Sequence, residues 1–106
     1  MKIARGSTFD FTINLPDGYD ISEAKAVWIT FVQYDKEIFT KTLSDVRIEL
    51  NHIYLHLTQQ ETLQFISGSA TMQVRILTAE DESLVQQPIT KIYICDVLKD
   101  GVISNE

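Results

Sequence analysis

Residues 53–77 read IYLHLTQQETLQFISGSATMQVRIL, and the order of patterns within them decides the fold. Ile53, Leu55 and Leu57 alternate with Tyr54 and His56, the period of a strand that buries one face. Thr58 followed by Glu61 is a capping box. The hydroxyl can accept from the Glu61 amide while the carboxylate reaches back to the Thr58 amide, satisfying two donors that a helix start otherwise leaves orphaned. This predicts one short helix over about 59–66, with Leu63 and Phe65 or Ile66 as its apolar contacts. Gly68 follows, where a left-handed C-terminal cap costs least. Ala70, Met72, Val74 and Ile76 then alternate with Ser69, Thr71, Gln73 and Arg75, a second half-buried strand.

The flanking chain carries more strands. Phe9, Phe11, Ile13 and Leu15 alternate with Thr8, Asp10, Thr12 and Asn14, and Pro16-Asp17-Gly18 closes that strand with turn chemistry. Residues 25–34, KAVWITFVQY, are apolar on both faces, so this strand is either covered twice or keeps one face for a partner. Asp35-Lys36 is expected as a two-residue turn to a return strand over 37–43. Val46, Ile48 and Leu50 alternate before a turn expected at Asn51-His52. After a charged loop at Ala79–Ser83, residues 84–98 close the sheet. Pro88 donates no ladder hydrogen bond and must mark an edge, a bulge or a switch between sheets. The tail from Lys99 is expected to fray. About seven strands and one short helix define an all-β chain, an antiparallel sandwich expected to form a single domain over 1–106. A short helix between two strands resembles the crossover joining the sheets of an immunoglobulin-like sandwich.

With 106 residues the chain can bury a core without metal or disulfide staples. Its net charge of −6 argues against nucleic acid and anionic membrane surfaces as partners. No apolar stretch has the length of a signal sequence or a membrane span, which suggests synthesis in a cytoplasm. Cys95, the single cysteine, sits among Ile92, Ile94 and Val97 and is expected to be a small buried side chain.

Catalytic and metal chemistry find little purchase. His52 and His56 share a strand face but lie about 13 Å apart at the usual rise, too far to bind one ion directly. The acidic run Glu80-Asp81-Glu82 lacks the spacing and glycine of a calcium loop. The four glycines are scattered, leaving no phosphate-binding loop. No catalytic residue, cofactor or metal is expected, and the chain reads as a non-enzyme.

Several segments together resemble small proteins encoded in prophages of Gram-positive bacteria. They are Arg5-Gly6-Ser7-Thr8-Phe9, Trp28-Ile29-Thr30-Phe31 with Gln33, Leu57-Thr58-Gln59-Gln60-Glu61-Thr62-Leu63, Gln73-Val74-Arg75, and Asp96-Val97-Leu98-Lys99-Asp100-Gly101-Val102-Ile103. That group is similar to the immunoglobulin-like N-terminal domain of phage upper-baseplate proteins. The resemblance implies a structural or assembly module of a phage tail, baseplate or prophage remnant. Its partners would be other phage structural proteins or further copies of itself, in the bacterial cytoplasm and then the virion. A small carbohydrate- or ligand-binding module is the alternative, because sandwiches display aromatics suited to stacking on sugars. If Val27, Ile29 and Phe31 enter the core, then Trp28, Thr30, Val32 and Tyr34 form the outer face. That face is the expected interaction surface.

Overall fold

The structure, a computed structural model, describes residues 1–105. Two sheets enclose one core. The larger orders its strands β1 (Lys2–Ala4), β9 (Thr90–Cys95), β7 (Gly68–Leu77), β3 (Ala26–Gln33) and β4 (Lys36–Thr42), with β8 (Ser83–Val85) also on β7. The smaller orders β2 (Phe9–Asn14), β6 (His52–Leu57) and β5 (Val46–Glu49). The crossover between the sheets is α1 (Gln59–Thr62), as residues 53–77 predict. Alternation explains the core: Ile29, Phe31, Ile53, Leu57, Phe65 and Ile94 are fully buried, and each strand contributes its inward set. The aromatic cluster Phe11, Phe31, Phe39 and Phe65 packs at ring separations of 4.8–6.2 Å.

The architecture is an immunoglobulin-like β-sandwich, and several details differ from the sequence expectation. Among the described residues nine strands form where about seven were expected. One is β1, which pairs parallel to β9 and so breaks the wholly antiparallel pattern. Three residues with a single inward Ile3 are too few for a period to register. The other addition comes from residues 84–98, which split into β8 and β9 along the same edge of β7. Residues 86–89, with Pro88, lie between the two strands and belong to neither.

The helix is four residues long, shorter than the stretch 59–66. Its capping box forms as expected: the Thr58 hydroxyl accepts from the Glu61 amide at 3.2 Å, and the Glu61 carboxylate accepts from the Thr58 amide at 2.9 Å. Tertiary hydrogen bonds end it early. The buried Gln33 side chain donates to the Ile66 carbonyl at 2.7 Å and accepts from the Ile66 amide at 2.9 Å, drawing the chain into an extended path. Phe65 takes the core position and Ile66 is exposed. Gly68 is therefore no helix cap. It opens β7 at φ +128°, and a Cβ there would overlap the Tyr34 hydroxyl.

Two turns sit one residue earlier than expected. Gln33 pairs with Lys36, so Tyr34 and Asp35 are the central residues at φ +50° and +63°, the pattern of a type I′ turn. Glu49 pairs with His52, so Leu50 and Asn51 form the second turn, with Leu50 at φ +54°. A single 3-10 turn at Leu43–Asp45, unread in the sequence, links β4 to β5. Cys95 is half-buried, because its side of β9 faces outward. The described part of the tail is tethered: Gln59 hydrogen-bonds both backbone groups of Ile103, and Arg5 reaches Asp100.

Candidate functional site

Alternation along β3 sends Val27, Ile29 and Phe31 inward and leaves Trp28 half exposed on the outer face, at 51%. Thr30 and Val32 follow on that face, half-buried by their neighbours on β4 and β7. The Thr30 and Thr40 hydroxyls lie 3.2 Å apart across the β3–β4 pair. Tyr34 leaves the row. As a turn residue it swings over Gly68, and its hydroxyl donates to the Ser67 carbonyl at 3.5 Å. Three of the four expected residues thus share one face.

Two further residues belong to this surface. Arg75 stands opposite Trp28 on β7 and holds its guanidinium 5.4 Å from the indole ring. Tyr93, outward on β9, is half exposed on the same sheet face. The outward alternation of Arg75 and Tyr93 was readable, but which strands flank β3 was not. Beside Trp28, the residues Ala26, Arg75, Leu77 and Ser83 line a shallow, mostly apolar hollow of about 240 Å³.

The opposite outer face, on the smaller sheet, is polar. His56 Nδ1 lies 2.7 Å from Asp10, His52 Nδ1 lies 2.5 Å from Asn14, and the Arg47 guanidinium sits 4.3 Å from the Tyr54 ring. Each histidine has its own cross-strand partner. Among the described residues no group of three or more His, Cys, Asp or Glu is placed to hold a metal ion. No helix among them is long and apolar enough to cross a membrane.

Residues from three of the segments that carry the resemblance, together with Gln33, meet at the α1 end of the sandwich. Residues 28–30 and 73–75, from the other two, pair with each other along β3 and β7. The Arg5 guanidinium donates to the Leu63 and Phe65 carbonyls at 3.1 and 2.6 Å and pairs with Asp96 and Asp100. The Thr62 hydroxyl donates to the Ser7 carbonyl and accepts from the Gly6 amide. Gln59 ties down Ile103, and Gln33 holds Ile66. These residues stitch the two chain ends to the crossover, a structural task.

The fold has clear counterparts among solved structures. CopC from Methylosinus trichosporium OB3b superposes with a TM-score of 0.59 at 10% identity, over 94% of this chain and 87% of that one. A putative glycoside hydrolase from Bacteroides vulgatus matches with a TM-score of 0.51 at 10% identity, over 92% of this chain and 17% of that one. Murine CRIg gives 0.45 at 8% identity, over 92% and 91% of the two chains. At such identities the likeness is one of fold. No protein-family model and no curated protein matches the sequence.

Proposed function

We propose that the protein is a non-enzymatic structural or assembly module that acts through protein–protein contacts, and that it serves in a phage tail, a baseplate or a prophage remnant. The observation that carries this reading is the outer face of β3, where Trp28 is half exposed beside Arg75 and is followed along the strand by Thr30 and Val32. An aromatic residue and an arginine side by side on an exposed sheet face have the composition enriched at interface centres. The phage setting rests on the sequence resemblance alone.

Replacing Trp28 with Ser and Val32 with Lys tests the reading. Both side chains are at least partly exposed, so the double variant should fold and lose binding to its structural partner or incorporation into the particle. A variant that stays folded and assembles normally would remove this face from the proposal. The alternative, a sugar-binding module, is favoured by the Trp28–Arg75 pair over its shallow hollow. Quenching or a blue shift of the single tryptophan's fluorescence on adding oligosaccharides would support it over the assembly reading.

A further inference from the structure

The four-stranded sheet of an immunoglobulin-like sandwich orders its strands A, B, E, D. In this chain β2, β6 and β5 take the B, E and D places, while the first strand, β1, has moved to the opposite sheet beside β9. Among the described residues no strand therefore fills the slot next to β2. Leu15 donates its amide to Asn51 at 2.9 Å, in register with the β2–β6 pairs, so the odd residues of β2 bond toward β6. The backbone N–H and C=O groups of Asp10, Thr12 and Asn14 then point away from β6. Among the described residues they have no partner.

The other sheet edges are guarded. β4 turns Lys41 inward to Glu61 and carries a bulge, β5 has four residues with Arg47 and Glu49 outward, and β1 and β8 have three residues each. β2 offers six residues with no lysine, proline, bulge or inward charge. Beside its free edge, Ile13, Leu15, Tyr19, Leu84 and Val85 line an open cleft of about 600 Å³ between the sheets.

We infer that this edge pairs with the same edge of a second copy, antiparallel about a twofold axis with Thr12 opposite Thr12, joining the two smaller sheets into one of six strands. The edge is self-complementary in that register. Asp10 of each copy faces Asn14 of the other, and all three outward backbone pairs engage. Asn14 uses its carbonyl oxygen toward His52, which leaves its amide to donate to the facing Asp10 carboxylate. A shift of two residues toward the start of β2 would set Asp10 against Thr12, and a shift of four would set carboxylate against carboxylate, so charge also selects the register. At a net charge of −6 per chain, an edge bearing one carboxylate with a polar match is a favourable place for copies to meet. Apolar residues of the partner's β2 would cover the mouth of the cleft.

This contact is separate from the Trp28 face, and the test keeps them apart. Sedimentation velocity over a wide concentration range should show a species of twice the 12.1 kDa chain mass. Thr12→Pro removes an outward N–H without touching the β6 ladder and should give a folded monomer by circular dichroism. Asn14→Asp sets two carboxylates face to face and should weaken the dimer about tenfold or more. Adding Asp10→Lys to it should restore the dimer. A parent chain monomeric at every concentration overturns the inference. So does a dimer that survives Thr12→Pro and Asn14→Asp, or one lost only in the Trp28→Ser, Val32→Lys variant. If Thr12→Pro fails to fold, the Asn14→Asp and Asp10→Lys pair decides, because both side chains are exposed.

Discussion

Arg5 holds together more distant parts of the chain than any other polar side chain described above. Its side chain is 14% exposed, and its guanidinium caps two carbonyls beyond α1 while pairing with two carboxylates of the tail. The planar fork is suited to this, whereas a lysine ammonium is a single point charge. Arg5→Ala should cost about 1–3 kcal/mol in urea titrations, chiefly because it leaves the Leu63 and Phe65 carbonyls without their donor, while the exposed Asp96 and Asp100 turn to water. Arg5→Lys should recover less than half of that. Gly68 is fixed by two independent constraints, a backbone angle that side chains resist and the Tyr34 hydroxyl in the place a Cβ would take. Gly68→Ala should destabilise by about 1–3 kcal/mol. Tyr34→Ala in the same chain should relieve only the steric part, which a double-mutant cycle measures.

At the scale of the element, α1 is too short to be stable by itself and depends on its caps. Thr58→Ala should cost about 1 kcal/mol, and Thr58→Ser much less. Glu61 has two tasks, since the carboxylate that completes the capping box also pairs with Lys41 at 2.5 Å. Burial pushes the Glu61 carboxyl up, but hydrogen bonds from Lys41 and from the Thr58 amide outweigh it and hold the group below its usual value of 4.5. The folded state thus binds this proton more weakly than the unfolded chain. The stabilisation is complete above about pH 4.5 and is lost as the pH falls through the lower, folded value. Glu61→Gln preserves the box and removes the ion pair. It should lower stability at neutral pH by about 1–2 kcal/mol and flatten the acid limb of a stability–pH curve. The capping box was legible because both partners lie within one turn. The end of the helix was not, since Gln33, 33 residues upstream of Ile66, terminates it. Each turn was misplaced by one residue for a similar reason. Tyr34 and Leu50 take positive φ without the residue types that announce it, because the pairing of Gln33 with Lys36 and Glu49 with His52 demands it.

For the whole molecule, the far-ultraviolet spectrum should be that of a β-protein, with helix well below the third typical of globular chains. Chelator treatment should leave the melting temperature unchanged. A drop of several degrees would mean that the imidazole and carboxylate ladder of the smaller sheet binds an ion. Alternation within single strands determined which residues enter the core and that Trp28, Thr30 and Val32 share an outer face, because a period of two is a local property of extended chain. It determined the crossover as well, through a cap whose partners are three residues apart. Tertiary structure alone decided which strands are neighbours, and so which residues surround Trp28. It also placed β1 in the larger sheet and left the β2 edge open. Strand order depends on contacts between residues tens of positions apart, and no local pattern in the chain encodes them.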